Sequence, residues 1–392
     1  MERIGIYGGT FNPPHLGHMG AARCAAKALG LDRLLVIPDR IAPHKQLPMD
    51  SPAPEQRLEM LQISLRDEAG IEASDLELKR EGVSYTYQTV EQLREMYPHA
   101  RLYLLMGTDM FLSFHNWRNP ERIWENATLA VFCRGEKGEK NAIAQQRHAL
   151  EDRGATVELV NNPVLTISSS DLRRMLVFRC ADSFLPAGVG DYIREHGFYG
   201  VARDYRNLPM EELETVVTGL LKKSRINHVL GCRDTAVELA RRWGANVTDA
   251  ARAGILHDIT KAIDGPLQLT LCREYGTILD NFSVRYPKTL HALTGSLVAE
   301  RIFGENEAVV SAIRHHTTGK ADMSLLEKII YVADYMEPCR DFPGVEELRE
   351  LAFTDIDAAL KLGLEMTLVH LANQGNEVSP QSREALAWLN NR

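Results

Sequence analysis

The sequence predicts two domains of different class: an α/β domain with a Rossmann-like parallel sheet over residues 1–203, and an all-α domain over residues 204–392. The first observation is length, because 392 residues exceed what one hydrophobic core usually organises. The second is a change of periodicity near Asp204, where short apolar runs give way to long amphipathic stretches. The third is the segment YGVARDYRNLP (199–209), which lies at that change and is the expected junction.

Five apolar runs in the first half are expected to be strands. Their alternation with helical stretches is typical of βαβ units, in which strands run parallel. The runs are residues 3–7, 33–38, 101–106, 128–133 and 156–160. In the second half, amphipathic periodicity predicts helices that include residues 234–243, 324–335 and 354–370.

Composition excludes several classes of protein. The formal net charge is −8 and there is no lysine or arginine run, so we expect no nucleic acid partner. No apolar run approaches the roughly 20 residues that cross a bilayer, and the start Met-Glu-Arg-Ile is unlike a signal peptide. The six cysteines form no CxxC pair. We therefore expect a cytoplasmic protein with reduced thiols and no membrane partner.

The segment GGTFNPPHLGH (8–18) lies between the first predicted strand and a helix expected from about Gly17 to Gly30. A glycine turn in that position binds phosphate, because backbone N–H groups and the helix dipole point at the anion. The segment is neither a Walker loop nor a GxGxxG fingerprint. His15 and His18 would project from one helical face, which favours nucleotidyl transfer with the protein stabilising negative charge. Two surface histidines, or two metal ligands lacking a nearby third, are the alternatives.

This segment resembles the GxFxPxHxGH signature of the nucleotidyltransferase superfamily, and in particular its nicotinate mononucleotide adenylyltransferase branch. The resemblance extends over about residues 1–200. It implies transfer of AMP from ATP, with Mg²⁺, to nicotinate mononucleotide, giving deamido-NAD and pyrophosphate in NAD biosynthesis. It also implies catalytic roles for His15 and His18 and substrate binding by Gly8, Gly9, Thr10 and Phe11.

Further motifs follow in the order of that branch. IPDRIAPHK (37–45) resembles its proline-histidine-lysine loop, which implies that His44 and the catalytic Lys45 lie over the phosphates. SYTY (84–87) implies that Thr86 touches the mononucleotide, and GTDMF (107–111) implies substrate contacts from Gly107 and Asp109. The neighbouring branches, which make pantetheine adenylate or cytidylyl products, fit these motifs less well.

The remaining motif residues each have a structural alternative. Trp117 is expected to stack on the pyridine ring, although core packing is the usual role of a tryptophan. Arg134 is a candidate for the negative charge of the mononucleotide. ISSSDLR (167–173) resembles a second phosphate site, which implies substrate binding by Ile167, Ser168 and Ser169 and catalysis by Arg173. The serines could equally serve only as helix caps.

The helical half carries histidine and aspartate residues of the kind that bind metals. Imidazole with carboxylate suits iron, manganese or zinc better than magnesium. AGILHDITK (253–261) predicts that the His-Asp pair lies on an apolar helix, where buried polar groups need partners. The alternative is a set of scattered surface residues. The residues are His228, His257, Asp258, His291, His315, His316 and Asp334. Their order, which includes His, His-Asp and Asp, resembles the signature of HD phosphohydrolases.

AIRHHTTG (312–319) and SLLEKIIYVADYMEPCR (324–340) resemble the bacterial HD family that hydrolyses diadenosine tetraphosphate symmetrically to ADP. The resemblance, over about residues 210–390, implies two divalent metals, with iron expected ahead of manganese or zinc, and a bridging carboxylate from Asp258. Its ligand histidine directly precedes Thr-Thr-Gly, so that role goes to His316, and His315 is left open. It implies that Lys261 and Arg340 face phosphate, although either could be an ordinary surface cation. The implied ligands are His228, His257, Asp258, His291, His316 and Asp334.

The sequence thus predicts a bifunctional enzyme that acts on ATP, nicotinate mononucleotide and diadenosine tetraphosphate. Two alternatives concern the helical half: hydrolysis of other nucleotides, or a metal-bound nucleotide sensor that regulates the transferase without turnover. Whether the chain forms a homodimer is left open.

Overall fold

The computed structural model describes residues 1–42, 47–48, 50–133, 137–162 and 167–391. The chain folds as two compact units, Met1–Arg203 and Asp204–Arg392. Within the described ranges, no helix combines the length and the apolarity that a bilayer crossing requires.

The first unit is built on one parallel sheet. Its strand order is β3-β2-β1-β4-β5-β6. The chain starts with β1 near the centre, adds β2 and β3 on one side, and then crosses over to add β4, β5 and β6 on the other side, so the strand order switches between β1 and β4. Ligands of open α/β sheets bind outside the carboxyl ends of the strands at such a switch point. The strands are β1 (Arg3–Gly9), β2 (Arg33–Pro38), β3 (Ile71–Ala73), β4 (Arg101–Gly107), β5 (Thr128–Cys133) and β6 (Val157–Asn161).

Helices cover both faces of this sheet. Leu34 and Val36 of β2 pack in one apolar layer, and Leu35 and Ile37 pack in the other, which explains the continuous apolar run of that strand. The helices are α1 (Leu16–Leu29), α2 (Pro54–Leu65), α3 (Thr86–Met96), α4 (Thr108–Leu112), α5 (Pro120–Trp124), α6 (Lys137–Glu151), α7 (Ser169–Val177) and α8 (Val189–His196).

The second unit contains helices joined by loops and no strand within its described residues, so the predicted fold class is confirmed for both halves. α10 packs against α11 and α16, and α15 packs against α14 and α16. The helices are α9 (Met210–Leu220), α10 (Lys223–Trp243), α11 (Val247–Leu256), α12 (Gly265–Glu274), α13 (Asn281–Arg285), α14 (Leu290–Arg301), α15 (Glu307–His315), α16 (Leu325–Met336), α17 (Val345–Thr354), α18 (Ile356–Asn373) and α19 (Pro380–Asn390).

Candidate active sites

Two histidines cap the helix that follows β1. His15 is the N-cap residue of α1, and His18 is the third residue of its first turn. The backbone N–H of His18 donates to Nδ1 of His15, and the N–H of His15 donates to Nδ1 of His18, each at 3.3 Å. The two rings are stacked with centroids 3.5 Å apart. Because each Nδ1 accepts a hydrogen bond, the proton of each neutral ring lies on Nε2, which makes Nε2–H a donor.

Burial sets the charge of this pair. His15 is 4% exposed, and burial lowers its pKa to about 4. His18 is half-buried. At neutral pH His15 is therefore uncharged and can offer an anion a hydrogen bond at the N-terminus of a helix, where the dipole also favours negative charge.

The turn before these histidines is fixed by residues that the sequence analysis did not single out. The fully buried guanidinium of Arg57 donates to the carbonyl of Thr10 at 2.6 Å and to Oδ1 of Asp39 at 3.0 Å. Oγ1 of Thr10 donates to Oδ2 of Asp39 at 2.8 Å. A Cβ on Gly9 would lie 3.1 Å from the ring of Phe11, so glycine allows that ring to pack close to the turn. The signal for Arg57 is only a buried charge, which the sequence alone does not reveal.

The ISSSDLR segment docks on the same turn. Nη1 of Arg173 donates to the carbonyl of Asn12 at 2.7 Å, and Oγ of Ser169 donates to the carbonyl of Pro13 at 3.1 Å. Oγ of Ser168 accepts from the N–H of Asp171 at 3.0 Å and so caps α7. The structure therefore shows the capping alternative for Ser168, and it brings Ser169 and Arg173 to the opening turn.

The other predicted substrate-binding residues lie at strand ends, at helix starts and in loops of the first unit. Gly107 ends β4 and precedes α4, with Asp109 exposed in its first turn. Trp117 is half-buried and packs on Phe114, with ring centroids 5.1 Å apart, as the core-packing alternative describes. Thr86 begins α3 and Ile167 is buried before α7. Gly8 lies at the exposed end of β1. His44, Lys45 and Arg134 lie outside the described residues.

In the second unit, the HD residues converge on one buried point. Two groups have ligand atoms within 4.8 Å of one another: His228 with His257 and Asp334, and His257 with Asp258 and His316. Nε2 of His291 lies 3.3 Å from Oδ1 of Asp258, which adds a fourth histidine. These groups are candidates for binding divalent metal.

Asp258 faces all four histidines. Its Oδ1 lies near Nε2 of His291 and 3.7 Å from Nε2 of His316. Its Oδ2 lies 3.7 Å from Nε2 of both His228 and His257. One carboxylate thus presents a different oxygen to each pair of histidines, as a bridging ligand would.

The expectation that the His-Asp pair lies on a helix is wrong. α11 ends at Leu256, His257 is its C-cap, and Asp258 lies in the turn that follows. The physical reason is that the side chains of consecutive residues in a helix point about 100° apart, so both could not reach one point from within the helix. Leaving the helix at His257 allows both side chains to reach the same point.

The histidines of this cluster share one orientation. Nδ1 of each ring has an acceptor behind it, so each neutral ring turns the lone pair of Nε2 toward the centre. Nε2 of His316 is buried and has no hydrogen-bond partner within the described residues, which fits a cation ligand. His228 donates to Glu337 at 2.9 Å, His257 to the carbonyl of Gly254 at 2.7 Å, His291 to the carbonyl of Lys288 at 2.8 Å, and His316 to the carbonyl of Ile313 at 2.7 Å.

Protonation states also suit a metal. Burial lowers the pKa of His257 to about 4 and that of His291 to about 3. Burial alone would raise the pKa values of the two carboxylates, but nearby charges, including Lys261 beside Asp258 and Arg340 beside Asp334, hold both pKa values well below the usual range. Neutral imidazoles and ionised carboxylates are the forms that bind divalent cations.

Three cations border the cluster. Nη2 of Arg340 donates to Oδ1 of Asp334 at 2.6 Å, Nζ of Lys261 lies 2.8 Å from Nε2 of His291, and Arg225 donates to Asp258. Their side chains are 34%, 39% and 29% exposed, so they are more exposed than the proposed ligands that they contact. Arg225 was not predicted from the sequence, although its place one helical turn before His228 was a signal.

His315 turns away from this centre. Its Nδ1 contacts the carbonyl of Ser311 at 2.9 Å and Oε1 of Glu327 at 3.1 Å. It belongs to neither ligand group found in the described part of the chain.

Comparisons with known proteins match a different family to each of the two units. Residues 6–175 match the Cytidylyltransferase-like family and residues 225–339 match the HD domain family. A protein of Neisseria meningitidis serogroup C named "Probable nicotinate-nucleotide adenylyltransferase" is 33% identical over 204 residues, 51% of this chain and 99% of the relative. The symmetrical bis(5'-nucleosyl)-tetraphosphatase of Bacillus subtilis is 39% identical over 183 residues, 46% of this chain and 96% of the relative. The chain belongs to both families.

Each relative therefore corresponds to one half of this protein, a transferase half and an HD half. A crystal structure from Clostridium acetobutylicum, titled as a "predicted HD superfamily hydrolase involved in NAD metabolism", is 36% identical and covers 47% of this chain and 98% of its own, with a TM-score of 0.46.

Proposed function

We propose that the protein is a bifunctional enzyme whose two units are its catalytic domains. Met1–Arg203 would transfer AMP from ATP to nicotinate mononucleotide, and Asp204–Arg392 would hydrolyse diadenosine tetraphosphate to two molecules of ADP. The names of the two sets of relatives support this assignment. We further propose a cytoplasmic location and no nucleic acid or membrane partner.

The transferase assignment rests mainly on the pair of histidines that cap α1, in which each Nδ1 accepts a backbone hydrogen bond. A phosphate oxygen of nicotinate mononucleotide bonds to the α-phosphorus of ATP, and the bond from that phosphorus to pyrophosphate breaks. The Nε2–H groups of His15 and His18 would stabilise the negative charge that spreads over the phosphoryl oxygens. Arg173 holds the turn that carries them, and Mg²⁺ enters with ATP. His44 and Lys45 are assigned to the same phosphates by family resemblance alone.

The hydrolase assignment rests mainly on four histidines. Each Nδ1 donates a hydrogen bond to an acceptor behind the ring, and each Nε2 faces the same aspartate, Asp258. Two divalent cations, for which we propose iron ahead of manganese or zinc, would supply the Lewis acidity that phosphate hydrolysis needs. Asp258 would orient both, with Asp334 as a further ligand. Arg225, Lys261 and Arg340 would bind the phosphate oxygens of the substrate.

The products of diadenosine tetraphosphate cleavage test the proposed activity of the HD half. Water adds its oxygen to one of the two central phosphorus atoms, and the bridging oxygen leaves with the other ADP. The intact protein should release only ADP from diadenosine tetraphosphate, as measured by chromatography of the products. Release of AMP together with ATP would contradict the assignment. A protein that binds the nucleotide without turnover would be the sensor alternative.

A further inference from the structure

A cavity of about 530 Å³ lies in the HD half, at the ends of two helices that carry proposed metal ligands. This volume is in the range of small-molecule sites. Its wall includes sequence neighbours of two proposed ligands: Thr289 and Ala292 lie on either side of His291, and His315 and Thr317 on either side of His316. The cavity and the proposed metal centre therefore share the ends of α14 and α15.

One wall carries a cation without a partner. Arg314 is exposed in the last turn of α15 and, in the described part of the chain, has no hydrogen bond or ion pair from its side chain. Arg285, which also lines the cavity, lies 3.4 Å from Glu377 and is paired. A guanidinium beside a concave surface suits phosphate, which it binds with two parallel N–H donors.

The cavity lining also includes an aromatic ring and a side-chain amide. Phe282 is half-buried and packs on Tyr286 with ring centroids 4.9 Å apart. Asn281 is exposed, and its side-chain amide has no hydrogen bond within the described residues. Nucleic acid bases stack on aromatic rings, and an amide pairs with the edge of a base.

His315 belongs to this cavity rather than to the metal. Its ring is held by Glu327, which also accepts from Oγ of Ser311 at 2.6 Å and from Nζ of Lys320 at 3.0 Å. Glu327 is 1% exposed, so the support of this wall is buried and fixed. A rigid wall suits a recognition site.

We propose that this cavity binds one nucleoside 5'-phosphate portion of the substrate. The base would lie against Phe282 and Asn281, and Arg314 would hold a phosphate at the cavity wall. The proposal rests on the proposed hydrolase function and adds to it the site that reads the nucleoside.

The test uses Arg314→Ala and Phe282→Ala in the full chain. Each should raise KM for diadenosine tetraphosphate by about tenfold, with kcat within a factor of about two and an unchanged metal content. Arg241→Ala is the matched control, because Arg241 is an exposed arginine of α10 that does not line the cavity. Wild-type KM in both cavity variants overturns the proposal, and lost metal would assign the effect to folding.

A second measurement separates this proposal from the function on which it rests. If the wild-type chain does not hydrolyse diadenosine tetraphosphate, the proposed function fails, and the cavity is tested by calorimetric titration with ADP. The transferase half contributes equally to every variant, so the difference between isotherms reports the cavity. Weaker ADP binding in both variants supports the site, and isotherms identical to wild type overturn it.

Discussion

Glu337 holds the imidazole of His228 from behind, with Oε1 2.9 Å from Nδ1. The carboxylate is 1% exposed, and its Oε2 accepts from the N–H of Cys339 at 2.7 Å. Space for it comes from Gly231, since a Cβ there would lie 2.7 Å from Oε2. A carboxylate that orients a ligand histidine in this way tunes metal affinity, although it does not touch the metal.

Gly231→Ala should therefore weaken metal binding. The added methyl group displaces the Glu337 carboxylate and releases the His228 ring, and loss of such a partner typically costs about 10- to 100-fold in affinity. Competition with a chelator measures this directly. Gly219→Ala is the control, because a Cβ at that helical glycine meets nothing within 4 Å. Equal metal affinity in both variants would contradict the orienting role.

His18→Ala should lower adenylyl transfer by about 10² or more, because it removes a donor to the charge of the transition state. It also removes one cap of α1, which costs about 1 kcal/mol of stability. Rate and melting temperature are measured on the same protein, with the exposed His148→Ala as control. A destabilised protein with normal catalysis would assign His18 a purely structural role.

The buried His15 predicts a pH dependence of stability. Its folded pKa of about 4 lies below the ordinary value of 6.5, so the unfolded chain binds an extra proton between these values. Stability is therefore lost as pH falls from 6.5 toward 4, by up to about 3 kcal/mol from this residue. His15→Asn keeps an N-cap acceptor without the titration, and should lose less stability over that interval in denaturant unfolding. Parallel pH profiles for both proteins would be inconsistent with this assignment.

The transferase half should prefer nicotinate mononucleotide to its amide. A site that pairs a charged carboxylate with fixed donors leaves those donors unsatisfied when the neutral amide binds. The ratio of kcat/KM for the two substrates, measured with ATP in excess, tests this expectation. Equal values would place the protein outside the nicotinate branch in substrate choice.

Several features were predictable from sequence because they depend on local pattern. The five apolar runs correspond to β1, β2, β4, β5 and β6, whereas β3 was missed because it is only three residues long and lies at the sheet edge. Arg57, Arg225 and Glu337 were missed because their roles come from distant contacts, which ordinary residue types do not advertise.

The two sites use histidine in opposite ways, and the sequence shows only the residue. In the transferase half, Nδ1 of His15 and His18 accepts backbone N–H groups, so Nε2 donates. In the HD half, Nδ1 of His257 donates to a backbone carbonyl, so Nε2 can bind a cation. The choice depends on whether the ring meets the N–H groups of a helix start or the carbonyl groups of a helix end.

If two independent active sites share this chain, a substitution that destroys one of them must leave the other intact, and Asp258→Ala is such a substitution. The variant removes the carboxylate that faces all four histidines, and the measurement is both reaction rates plus bound metal on the intact protein. We predict loss of diadenosine tetraphosphate hydrolysis and of at least part of the metal, with pyrophosphate release from ATP and nicotinate mononucleotide unchanged. Hydrolysis that survives the substitution would contradict the metal centre, and loss of adenylyl transfer in a folded protein would make the HD half a regulator of the transferase.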